Sequence, residues 1–290
     1  MHAFKINVGL FCAVFFWASA FVGIRIGLTA YSPGSLALLR FLIASLFMGL
    51  MFLHKSNRQF IPFGHQIQLM IVGVAGIGVY NICLNYGEMT VPAGIASFVI
   101  GLMPMLTLLI SVIFYDERPA KGVYGGMFVS LVGLLLMIGV TPDGGQINYG
   151  VMIIFIAAVV GAAYSFWQKP YLRLYHPVVV TAWIIWGGTL SLMIFSHTLW
   201  QEFPKADFQA TFAVVYLGVF PAALAYMAWS YVLKSLSASY ASIYLYAMPV
   251  ISSLMGFFLL SERPTGWSLL GGLLSMVGAF YSARLINRSA

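Results

Sequence analysis

Charge is what this chain lacks most. Only 7% of its 290 residues are Asp, Glu, Lys or Arg, and just seven are acidic, against roughly 25% charged in soluble domains. Fourteen basic and seven acidic side chains cannot cover a water-facing surface of this size, and a mean hydropathy of +0.95 agrees. A soluble enzyme, a nucleic-acid-binding domain and a secreted disulfide scaffold are excluded at the start. Cysteine is equally scarce. Cys12 and Cys83 stand apart inside apolar runs, where they read as small hydrophobes and form neither a disulfide framework nor a metal site. A GxxxxGK phosphate loop, an HExxH zinc helix and any Ser–His or paired-aspartate arrangement for intramembrane proteolysis are also missing. The expectation is therefore no catalytic residue, no metal, no cofactor and no nucleic-acid partner. The partners expected are the lipid bilayer and a small-molecule substrate.

What is present is apolar length. Windows of about 20 apolar residues, enough to cross roughly 30 Å of hydrocarbon, fall near 7–29, 34–53, 67–88, 92–115, 121–140, 148–168, 178–198, 209–233, 238–260 and 266–286. Backbone groups in lipid must be satisfied within each segment, so these are helices. Lys5, the first apolar run and Ala18-Ser19-Ala20 imitate a cleavable secretory signal. The run continues through Phe21, Val22 and Ile24, however, and its removal would spoil the internal repeat.

That repeat appears on sliding the sequence along itself by 145 residues. Met103-Pro104 falls on Met248-Pro249, and Glu117-Arg118-Pro119 on Glu262-Arg263-Pro264. Between 86 and 133 there are 14 identities over 48 ungapped positions, and Pro and Glu-Arg-Pro are hard to match by membrane composition alone. The chain divides into residues 1–142 and 143–290, five spans each. Five is odd, so the halves enter the membrane from opposite sides, as in secondary transporters built from inverted repeats. With a cytoplasmic N-terminus, ten basic residues (Lys5, Lys55, Arg58, Arg118, Lys121, Lys169, Arg173, Lys234, Arg284 and Arg288) fall at cytoplasmic ends. Only Arg25, Arg40, Lys205 and Arg263 fall outside. Positive-inside bias therefore puts both termini in the cytoplasm. The fold class expected is an all-α integral membrane bundle of ten helices in two inverted five-helix repeats. A monomer and a homodimer are equally open.

The opening FFWASAFVGIRIGLTAYSPGSLALLRF (15–41) and the two MP…ERP…G blocks resemble the EamA family of the drug/metabolite transporter superfamily over essentially the whole chain. The resemblance implies ten helices, an inner-membrane location and carrier-type movement of small metabolites, frequently amino-acid export. The superfamily also holds nucleotide-sugar and sugar-phosphate carriers, so the likeness constrains fold more than substrate. One departure is the stretch 157–177, which echoes the first span only loosely. Efflux of cationic drug-like compounds is the alternative within transport, and a non-transporting receptor or scaffold the alternative outside it.

Polar and aromatic side chains inside the spans are the candidate site, since each must be satisfied by the bundle, water or substrate. Asn81, Asn85 and Glu88 share one face of the third span. The repeat sets Asn81 and Asn85 against Tyr226 and Ser230, polar groups at matched depth; interhelical hydrogen bonding is their competing role. Trp17, Tyr164, Tyr226 and Tyr244 lie away from the expected interfaces, whereas most other Trp and Tyr, Trp229 included, read as interfacial anchors. An aromatic wall with few charges suits apolar or cationic solutes. Arg40, about one and a half turns into the second span, either meets a substrate carboxylate or snorkels to the headgroups. Glu88, at the outer end of its span, is the candidate for proton coupling, but no carboxylate lies near mid-membrane, so a facilitator or exchanger is favoured. Pro104 and Pro249 are expected to kink their helices at symmetry-related points.

Overall fold

The computed structural model describes residues 2–54, 59–115, 121–139, 149–263 and 265–289. Among these residues the chain is all helix, with no strand. We number the helical segments α1 (His2–Gly27), α2 (Pro33–Leu53), α3 (Phe63–Glu88), α4 (Ala93–Phe114), α5 (Lys121–Gly139), α6 (Tyr149–Leu174), α7 (Pro177–Lys205), α8 (Phe208–Ser235), α9 (Tyr240–Leu260) and α10 (Gly266–Ser289). Among the described residues, eight are long and apolar enough to cross a membrane. Eight of the ten expected runs meet that length among the described residues; at α5 and α10 the apolar stretches, Gly122–Gly133 and Leu269–Ser282, are shorter. Their Gly and Ser residues serve a helix–helix contact instead of lipid. Lys55, Arg58, Glu117-Arg118-Pro119, Asp143 and Pro264 lie outside the described residues.

Helix starts follow local chemistry. Pro33 and Pro177 occupy first-turn positions of α2 and α7, where a missing N–H is harmless. Asp207 caps α8, its carboxylate accepting from the Ala210 N–H at 2.7 Å. Large apolar side chains such as Phe11, Leu46, Ile71, Phe212 and Phe258 point outward, as a lipid-facing surface requires.

The principal helix contacts run between the two sequence halves. Helix α1 packs on α8 and α9, α2 on α7 and α8, α3 on α6 and α7, α4 on α6 and α9, and α5 on α10. Exchanging the halves turns α1–α8 into α6–α3, α1–α9 into α6–α4 and α2–α8 into α7–α3, and leaves α2–α7, α4–α9 and α5–α10 unchanged. The pairing pattern is thus its own image. At α5–α10 the relation reaches single atoms. Ser130 Oγ donates to the Ser275 carbonyl at 2.8 Å, and Ser275 Oγ donates to the Ser130 carbonyl at 2.9 Å. Ser282 Oγ donates to Val123 O at 2.9 Å. As one chain of contacts ascends the other descends, so these helices are antiparallel. Gly126 and Gly278 are required there, because a Cβ on either would strike the other's carbonyl oxygen.

Two pairs of equivalent helices carry matched irregularities. A π-helical segment interrupts α3 at Val74–Val79 and α8 at Gly218–Leu224, equivalent places in the repeat. Pro221 lies inside the second. Helix α4 breaks after Ala93–Ile100 and resumes at Met103; α9 passes through a 3₁₀ segment, Ile243–Ala247, and resumes at Met248. Pro104 and Pro249 therefore each begin a second helical piece, where a proline is tolerated.

Candidate functional site

The irregular stretches surround a cavity at the centre of the bundle, with a volume of about 40 Å³. That is room for a few waters and no organic solute, so the walls stand close together in this structure. Both halves supply its wall: α1, α2, α3 and α4 from one, α6, α8 and α9 from the other. Ile100 and Met103 line it opposite their repeat equivalents Leu245 and Met248. The rest is largely aromatic. The Trp17 ring centroid is 5.4 Å from Tyr226 and 5.3 Å from Trp229, and Tyr164 is 5.9 Å from Tyr226, distances typical of edge-to-face packing. Trp17 is fixed by its indole N–H, which donates to the Pro221 carbonyl at 3.1 Å, so the π segment of α8 anchors a ring of the wall.

Arg40 is the charged residue of the wall. Its side chain is 3% exposed and turned inward, which overturns snorkelling as its role. Nη1 donates to Asn81 Oδ1 at 3.0 Å, and Asn81 Nδ2 donates to the Ile77 carbonyl one turn back at 2.8 Å. The guanidinium carbon lies 5.3 Å from the Phe41 ring centre. Among the described residues the ion pair is Arg25–Glu262, and Arg40 has no carboxylate partner.

Four sequence candidates, Trp17, Arg40, Tyr164 and Tyr226, line the cavity together. Asn81 stands behind Arg40, fully buried, and orients it. Asn85 and Ser230 lie elsewhere: Asn85 donates to the Pro33 carbonyl at the start of α2, and Ser230 joins Thr181 to Gln168 through bonds of 2.8 and 3.0 Å. Tyr244 is 41% exposed and packs on Tyr240, so it is not part of the wall. Trp229 reverses an expectation. It is 1% exposed, lines the cavity and donates to Ser165 Oγ at 3.4 Å. The signal was available, because Trp229 follows Tyr226 by one turn on the same helix face. Tyr80, Met103 and Met248 are further wall residues that the sequence did not single out.

An acidic cluster closes the Gly27 end of the bundle. Arg25 Nε lies 3.3 Å from Glu262 Oε1, and Arg25 Nη1 donates to the Glu88 carbonyl. Glu262 Oε2 accepts from the Ala93 N–H at 2.9 Å, capping α4 from the other half. Glu202 does likewise for α2, accepting from the Ser32 N–H at 3.0 Å. Glu88 is fully buried beneath, one turn above the cavity residue Leu84. The opposite end is held by neutral and basic groups: Lys169 donates to the Leu236 carbonyl, His65 Nδ1 and Tyr175 Oη are 2.7 Å apart, and the His176 N–H donates to Gln59 at 2.8 Å. Partial burial, then the Lys234 charge, lowers the His176 pKa below its usual value.

The model of the EamA-like transporter family matches this chain twice, at residues 5–139 and 148–284. An uncharacterized transporter of Bacillus subtilis, YdfC, is 34% identical over 94% of this chain and 89% of its own. A probable terminal-alkyne amino-acid exporter of Streptantibioticus cattleyicolor is 31% identical over 94% and 90%. A solved crystal structure, 22% identical, superposes with a TM-score of 0.70 over 98% of both chains, which bears on the fold alone. A multi-pass bundle, an internally repeated sequence and a cavity lined by both halves thus coincide with two family matches that together span nearly the whole chain, and the chain belongs to the EamA-like transporter family.

Proposed function

We propose that this protein is an inner-membrane secondary carrier that exports small amino acids or related metabolites by alternating access. In this reading residues 1–142 and 143–290 are two inverted five-helix repeats, ten crossings in all, with both termini cytoplasmic. Support comes from the double family match, the self-imaging contact pattern and the antiparallel pairing of the equivalent helices α5 and α10. A two-fold relation in the membrane plane gives a carrier two conformations of similar energy, each closed at one end.

The observation that carries the proposal is the small cavity where both halves meet, rich in aromatic side chains and holding Arg40. Trp17, Arg40, Tyr164 and Tyr226 would touch the solute; Asn81 would position Arg40. Asn85 and Ser230 would hold neighbouring helices, and Pro104 and Pro249 would mark where α4 and α9 bend. The test is counterflow in liposomes loaded with unlabelled amino acids. Uptake of labelled amino acid against its concentration difference supports a carrier; flux of organic cations alone transfers the assignment to drug efflux. No flux across a broad metabolite panel would favour a receptor or scaffold.

A further inference from the structure

We infer that Arg40 is the counter-ion for a substrate carboxylate, so the carboxylate, and not the amino group, is the obligatory recognition element. This rests on the carrier reading above and narrows its substrate class to carboxylic acids with an apolar or aromatic body.

Three observations carry it. First, Arg40 is a guanidinium inside a membrane-spanning bundle with no carboxylate within ion-pairing distance among the described residues. Its Nε is buried and makes no hydrogen bond, and Nη1 is held by a neutral amide. A charge at such depth is costly unless paired, and an Arg used only for packing would be neutralised by a nearby acid. The acid nearest in sequence to the wall, Glu88, does not pair with it.

Second, Arg40, which carries the unsatisfied donor, lines the cavity. A guanidinium presents its donors in a planar fork that fits a carboxylate in two parallel hydrogen bonds. A phosphate or nucleotide would call for several converging cations, and the described wall holds one. Third, that wall has no carboxylate. An organic cation would enter beside Arg40, a like charge in a low dielectric, with Glu88 acting on the site only from beyond ion-pairing distance. An amino acid's ammonium has neutral groups of the wall to meet it, aromatic rings such as Trp17, Tyr226 and Trp229 and the hydroxyls of Tyr164 and Ser165, contacts weaker than an ion pair. The amino group is therefore tolerated and dispensable, while the carboxylate is required.

The experiment is equilibrium binding to the purified full-length protein in lipid nanodiscs, read by calorimetry. The probes are L-leucine and L-phenylalanine, each with its decarboxylated amine, its methyl ester and its deaminated acid. Amino acids and deaminated acids are expected to bind alike, with the amine and ester weaker by about 10- to 150-fold, the equivalent of one hydrogen bond to a charged group. Arg40→Gln should erase this discrimination, and Arg40→Lys should restore it in part by supplying the charge without the fork. Melting temperatures measured on the same samples separate lost recognition from lost folding. If Arg40→Gln does not fold, the wild-type probe series still decides the question. Amine or ester binding as tightly as the acids would overturn the inference and leave a carrier of cationic metabolites. Failure of all eight probes on folded wild-type protein would overturn the inference for acids with an apolar or aromatic body, while the counterflow assay above tests the carrier reading separately.

Discussion

Removing the Glu262 carboxylate should open the cavity toward the Gly27 end. Glu262 joins the halves twice, through Arg25 at 3.3 Å and through the Ala93 N–H at 2.9 Å. Arg25 is 33% exposed and Glu262 12%, so the ion pair falls between a surface pair and a buried one, and about 1–2 kcal/mol is a reasonable share. The cap on α4 adds about 1 kcal/mol. Glu262→Gln retains an oxygen for Ala93 and loses only the ion pair, which predicts a gain of about 5- to 30-fold in the open population. Glu262→Ala loses both, which predicts roughly 30- to 160-fold. The reporter is Leu84→Cys, a wall position one turn below Glu88, with Cys12 and Cys83 replaced by alanine. The rate of reaction with a membrane-impermeant thiol reagent follows the open fraction while that fraction is small. The order expected is alanine fastest, glutamine intermediate, wild type slowest. Wild-type labelling in Glu262→Ala would show that this cluster does not hold the cavity shut.

Four further outcomes follow from the same geometry. Gly126→Val should force α5 from α10 and lower stability by about 1–3 kcal/mol, seen as a reduced melting temperature; an unchanged value would show that the helices do not cross at Gly278. Asn81→Ala should weaken carboxylate binding roughly 10-fold through disorder of Arg40 while expression holds, losing a hydrogen bond of about 1–1.5 kcal/mol; lower stability with intact affinity would make Asn81 a structural tie. A cysteine at Lys205 should react from the outside and one at His54 only from the cytoplasm, and the opposite pattern would reverse the topology. Glu88→Gln should leave the pH profile of flux unchanged, and a lost pH response would make Glu88 a coupling site.

Helix identity and the repeat were legible because lipid imposes length and because Pro and Glu-Arg-Pro stand out from an apolar background. Arg40, Trp17, Tyr164 and Tyr226 were legible for a related reason: polar atoms at depth demand partners. Trp229 was misjudged because an amphipathic ring suits an interface and a cavity wall equally, and only packing distinguishes them. Ser230 and Asn85 mark the reverse limit. Matched depth in the repeat says nothing about rotation around the helix axis, and their faces turn to Gln168 and to Pro33. The π segments had no clear signature, since Val74–Val79 and Gly218–Leu224 share little sequence beyond small residues.

Because the main helix contacts join one half to the other, the first half has few partners while it is being made. At roughly 5–20 residues per second, its five helices wait on the order of ten to thirty seconds in the bilayer before the second half is complete. During that interval Arg40 and Ser130 face lipid or water, without the cavity wall or the Ser275 carbonyl that later surrounds them. The first half is then expected to be more open to membrane proteases than the finished bundle. Residues 1–142 expressed alone should be degraded, and co-expression of residues 143–290 as a separate polypeptide should rescue them. Stable accumulation of the lone first half would mean that it has a folded state of its own.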